Sequence, residues 1–168
     1  AMGIQQLPPN QVIVTLALFL TLFVMRPVIE EVYIDAYKPL QEGTITTSQA
    51  MDRAIVPVRG FMLSQARDEE LSLMISLSDS ERPETPEDVS TLVLLPAFML
   101  SELKTAFQMG VVLFVPFLVI DMIVSSILMS MGMIMLPPML VSLPFKVLLF
   151  VLANGWDLVV VSLVKSFG

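Results

Sequence analysis

Residues 105–139 read "TAFQMGVVLFVPFLVIDMIVSSILMSMGMIMLPPM". Thr105 to Ile120 is apolar, with Gly110 and Pro116 inside it; Asp121 interrupts; Met122 to Leu136 is apolar again; Pro137-Pro138 closes the run. Another apolar segment, Met139 to Phe145, follows at once, then Lys146 and "VLLFVLANGWDLVVVSLVKSFG". No stretch here is a clean span of ~20 residues with polar loops at both ends. The pattern predicts apolar helices folded back on each other, with a proline- and methionine-rich turn at 130–139. Prolines leave backbone groups without helical partners, and lipid cannot satisfy them. "GMIMLPPM", residues 132–139, is therefore expected at a lumen or a subunit interface.

Working outward, the chain is apolar at both ends and charged in the middle. It has 168 residues, 55% hydrophobic and 15% charged, where a soluble domain carries about 25% charged residues. The mean hydropathy of +0.82 places it among membrane proteins. Arg26 is the single charge in residues 1–29, and Asp121, Lys146, Asp157 and Lys165 are the four in 105–168. The other twenty lie between Glu30 and Lys104, fourteen acidic and six basic. Three regions follow: an apolar arm at 1–29, a charged helical middle at 30–95, and an apolar helical hairpin at 96–168.

This distribution excludes several functions. The net charge of −7 leaves no basic patch for nucleic acid and opposes docking on anionic headgroups. With no cysteine and no histidine, disulfides, Cys/His metal sites and imidazole-based catalysis are absent. No cofactor is called for. The opening "AMGIQQLPPNQ" has no basic n-region and no small-residue cleavage site, so more chain is expected upstream of Ala1.

Pro8, Pro9 and Asn10 predict a turn that launches a helix over Val12–Met25, stopped at Arg26-Pro27. Fourteen residues rise roughly 21 Å, short of a ~30 Å hydrocarbon core, so this run is expected to pack against protein. In the middle, Thr47 or Ser48 is expected to cap a helix ending near Pro57, and a longer helix is predicted over about 58–77. "SDSERPETPEDVS" reads as a linker in which Thr85-Pro86-Glu87-Asp88 starts a helix.

Three groups of residues stand out. Asp121 is an ionisable group in apolar sequence, a candidate intramembrane acid for proton coupling, although a helix-end acid that reaches water also fits. An aspartyl protease would need Asp157 as its second acid, and neither lies in a motif for that chemistry. Lys146 is too far along one helix from Asp157 to pair with it, about 16 Å of rise. Glu102 and Asp121, in the same or a neighbouring copy, are its candidate partners. The methionines suit core filling, or a pliable closure contributed by several subunits.

Several stretches carry a resemblance in common. "MGIQQLPPNQVIVTLALFLTLFVMRPVI", "FMLSQARDEEL", "SELKTAF…PFLVIDM…SMGMIMLPPM" and "LPFKVLLFVLANGWDLVVVSLVKSF" resemble the FliP/SctR family, the export-gate membrane proteins of bacterial type III secretion. The likeness covers nearly the whole chain and is nearer the flagellar branch. It implies an all-α integral membrane protein of helical hairpins packed into an oligomeric channel. Its implied partners are further copies of itself, a small two-helix FliQ/SctS-like subunit, a FliR/SctT-like subunit and FlhB/SctU-like and FlhA/SctV-like components. Unfolded export substrates would pass through the bacterial inner membrane at the flagellar basal body. The charged middle would face the periplasm.

By the same resemblance the constriction falls on Met133, Ile134 and Met135, shaped by Gly132, Pro137 and Pro138. Relatives often carry methionine at all three positions, and Ile134 is the departure. The resemblance also makes Glu102 and Lys146 an assembly ion pair. The implied function is a pore-forming subunit, not an enzyme. Its rivals are an injectisome counterpart, an ion or small-solute transporter using Asp121, and a scaffold without a pore.

Overall fold

The computed structural model describes residues 8–78, 83–133 and 135–167. Expectations that fall on residues 1–7, on the linker at 79–82 and on Ile134 lie outside them. Regular structure among the described residues is helical throughout, as the all-α reading expects. Two compact units form, Phe19–Ala106 and Ala1–Leu18 with Phe107–Gly168. Their boundaries fall inside helices.

Helix α1 (Asn10–Val24) starts where Val12 N–H bonds the Pro9 carbonyl, and it buries no residue. It ends at Met25 because Pro27 has no N–H to return to Phe23. Helix α2 (Arg26–Val32) then continues through a π turn, Tyr33–Tyr37, into the short α3 (Lys38–Gln41), bent 56° from α1.

Helix α4 (Thr47–Gln65) is capped by Thr46, one residue before the expected cap. Thr46 Oγ1 accepts from Gln49 N–H, and the Gln49 side chain accepts from Thr46 N–H, a reciprocal capping box. The helix runs through Pro57, where an end was expected. The carbonyl that loses its donor belongs to Arg53, an exposed residue. The single helix expected over 58–77 is instead two. It breaks at Ala66-Arg67, and α5 (Asp68–Leu77) begins with Asp68, Glu69 and Glu70 in its first turn. A tertiary bond stabilises the break: Arg67 N–H donates to Ser101 Oγ at 2.9 Å. Thr85 closes a capping box with Asp88 around the 3₁₀ turn Pro86–Asp88, where the sequence placed a helix start.

The core of this unit is small: Met62, Val89 and Leu94, with Leu71, Ile75 and Phe98 against them. Arg59 holds the connection into α6 (Thr91–Ser130), donating to the Glu87 carbonyl at 2.9 Å, the Val89 carbonyl at 2.6 Å and Thr91 Oγ1. Lys104 ties α5 to α6 by donating to Glu69 Oε2 at 2.7 Å and Glu70 Oε1 at 2.9 Å.

Helix α6 is 40 residues long and does not break at Asp121. At 1.5 Å per residue it is about 60 Å, twice a hydrocarbon core. It is the one described helix long and apolar enough to cross a membrane alone. The bent pair α1 with Arg26–Gln41 qualifies as a broken span. So does α7 (Pro138–Leu152) with α8 (Gly155–Lys165), bent 60°.

Candidate functional site: the methionine turn and the ion pair behind it

The turn between α6 and α7 begins with a helix stop of defined geometry. Gly132 N–H bonds the Met129 carbonyl at 3.1 Å and Met133 N–H bonds the Leu128 carbonyl at 2.9 Å. These two bonds, with Gly132 at φ +75°, form a Schellman cap. Only glycine adopts that φ at little cost, which is why Gly132 sits there. On the far side Pro137 caps α7 with extended backbone and Pro138 occupies its first turn, where a missing N–H costs nothing. Leu136 N–H reaches back to the Met133 carbonyl at 3.4 Å.

The loop is thus fixed at both ends and apolar at its tip. Met135 is 98% exposed, Met131 67% and Met133 41%. Fully burying such a side chain is worth ~1.5–3 kcal/mol, so the loop presents apolar surface that a neighbour would stabilise.

Behind the loop, α6 and α7 run antiparallel in register. Phe117, Val124 and Leu128 are the buried residues on one face of α6, with Asp121 on the same face. Ser142, Lys146 and Phe150, four residues apart, form the facing stripe of α7. Lys146 Nζ lies 2.6 Å from Asp121 Oδ2, and Ser142 donates to Asp121 Oδ1. One turn further on, the Phe117 and Phe150 rings are 6.5 Å apart. The Lys146 side chain is 1% exposed and Asp121 27%. This ion pair therefore locks the hairpin about three helical turns from its tip.

The structure gives the expected site residues different fates. Gly132, Met133, Met135, Pro137 and Pro138 come together in one loop, and Ile134 lies outside the described residues. Within one chain Lys146 pairs with Asp121, not with Glu102. Antiparallel register puts Asp121 and Lys146 opposite each other, whereas Glu102 belongs to the other unit and has Arg67 as its neighbouring cation. Asp121 is accordingly a neutralised, hydrogen-bonded carboxylate. Sequence reading missed Ser142 as its second partner, and the signal was available: Ser142 and Lys146 are four apart on a helix.

At the end of α7, Asn154 adopts a left-handed conformation (φ 53°) and donates to Asp157 Oδ2 at 2.9 Å. Gly155 is buried under Phe150, so a Cβ there would collide with the ring. Asp157 thus lies in the first turn of α8 with the Asn154 side chain as its partner.

The profile of the FliP family matches residues 1–163. The chain belongs to the FliP family. It is 48% identical over 167 residues to the "Flagellar biosynthetic protein FliP" of Bacillus subtilis, covering 99% of this chain and 76% of that one. The namesakes from Borreliella burgdorferi and Caulobacter vibrioides are 49% and 52% identical, again over 99% of this chain and over 67% and 63% of their own lengths. As a FliP-family chain it is a membrane-associated component of flagellar biosynthesis and export. The family is structural and transport-related and is not an enzyme family.

Proposed function

We propose that this chain is a pore-forming subunit of the flagellar type III export gate. In this reading several copies surround a lumen. The loops carrying Met133, Ile134 and Met135 meet there as a deformable seal that closes against ions and yields to unfolded flagellar subunits. The observation that carries it is the loop itself: a Schellman cap and two prolines fix its ends, an ion pair locks the hairpin below, and Met135 is 98% exposed. Thioethers are flexible and fit many shapes, which suits a gasket. α1 buries nothing, and α6 exposes Phe107, Val112 and Met122 among others, apolar surface that subunit neighbours would cover.

The partners of this reading are further copies, a FliQ/SctS-like and a FliR/SctT-like subunit, and FlhB/SctU-like and FlhA/SctV-like components. The inner membrane anchors the assembly, with the charged middle on the periplasmic side. Glu102 is proposed as an assembly contact. It can reach a neighbour's Lys146 only where that ammonium, which has three donors, also keeps Asp121.

The test is an ion-leak measurement in cells carrying Met133→Ala with Met135→Ala. The expected result is a leaky membrane with the complex still assembled. An intact complex with a tight membrane refutes the seal.

A further inference from the structure

We propose that a groove between α2 and α4 seats a lysine or arginine side chain presented by a protein other than this chain. The inference requires only that the chain works within a protein complex, not that the methionine loop seals a pore. The groove measures about 360 Å³ and lies within one unit. Pro27, Val28 and Glu31 line it from α2, and Val56, Gly60 and Phe61 from α4. A Cβ at Gly60 would meet no atom within 4 Å, so the cleft is open there.

The walls are mostly apolar, with Ser64, whose hydroxyl is spent on the Phe61 carbonyl at 2.8 Å, and one charge, Glu31. Its neighbour Glu30 already holds Arg26 at 2.8 Å. Among the described residues Glu31 has neither an ion-pair nor a hydrogen-bond partner. On α4, Arg59 is turned to Thr91, Glu87 and Val89, and Arg53 makes no ion pair with Glu31. A mostly apolar cleft rimmed by a carboxylate that has no partner among the described residues fits a side chain with a hydrocarbon stem and a cationic head. Arginine and aromatic anchors in such clefts are the usual centres of protein interfaces.

Charge decides the occupant. The chain carries sixteen acidic and nine basic residues. Arg26, Arg59, Arg67, Lys104 and Lys146 already have partners within the chain. Few cations remain for a second copy, whereas the acidic excess suits a basic partner. Anionic lipid headgroups are repelled by the same charge.

The experiment places a photoreactive amino acid at Val56 of the full-length protein in intact cells and maps the crosslinked residue by mass spectrometry. The expected adduct is with a different protein, within one helical turn of a lysine or arginine. Glu31→Lys should lower its yield about tenfold, corresponding to ~1.4 kcal/mol. Reversing the mapped cation in that background should restore it. Gly60→Leu fills the groove and should also remove the adduct, while the thermal midpoint holds or rises because leucine favours helix over glycine. An adduct with a second copy or with lipid overturns the proposal. The absence of any adduct, or a yield indifferent to Glu31→Lys or Gly60→Leu, does so as well.

Discussion

Removing Asp121 tests whether the Lys146 pair is a lock or a proton carrier. The side chain of Lys146 is 1% exposed and its ammonium lies 2.6 Å from Asp121. Asp121→Ala therefore leaves a buried cation without a counterion, which costs ~3–5 kcal/mol. Lys146→Met is milder, because Asp121 is 27% exposed, can reach water and keeps the Ser142 hydroxyl. Losing that one charged hydrogen bond costs ~1.5–3 kcal/mol. Replacing both with Asp121→Leu and Lys146→Met removes the buried charges altogether and should return stability to within ~1–2 kcal/mol of the native chain. The assay is denaturant unfolding of the full-length protein in detergent, with swimming motility of the same strains alongside. At 1.4 kcal/mol per tenfold, Asp121→Ala should shift the unfolding equilibrium about a hundredfold or more. The double variant should then be far more stable than the summed losses of Asp121→Leu and Lys146→Met measured singly predict, and should swim. Additive losses would refute the lock. A stable double variant that assembles but cannot export would instead make Asp121 a working acid.

Other outcomes follow from the same geometry. Hydrogen bonding from Lys104 holds the Glu70 carboxyl below its ordinary value near 4.5, against the opposing effect of burial. A depressed carboxylate contributes stability above the unfolded value and loses it as pH falls through the folded one. The hydrogen-exchange protection factors of α5 should therefore fall below about pH 4.5, and Glu70→Gln should flatten that dependence. Gly132→Ala forces a side chain into φ +75° and should lower the thermal midpoint by the equivalent of ~1–2 kcal/mol. A larger effect at Gly155→Ala is expected, because there the Cβ meets the Phe150 ring. Arg59→Met strips the Glu87 and Val89 carbonyls of their donors, and faster hydrogen exchange across residues 83–94 would show it.

Much was determined by the sequence alone. The apolar arms and charged middle imposed an all-helical membrane protein, because in lipid a helix satisfies its own backbone groups. Gly132 and the two prolines mark the turn by themselves, since φ > 0 and a missing N–H are local properties. The family was legible in the order of the motifs. Tertiary structure alone decided the rest. Asp121 looks like a helix breaker or a lone acid until α7 lies beside α6 and brings Lys146 and Ser142 to it. "RDEE" begins a new helix, where periodicity predicted a continuous one, because Ser101 on another helix accepts the Arg67 N–H. Pro57 fails to end α4, at the cost of a single backbone bond at an exposed position. In the first two cases the deciding partner lies more than twenty residues away, where residue order and helical period carry no signal.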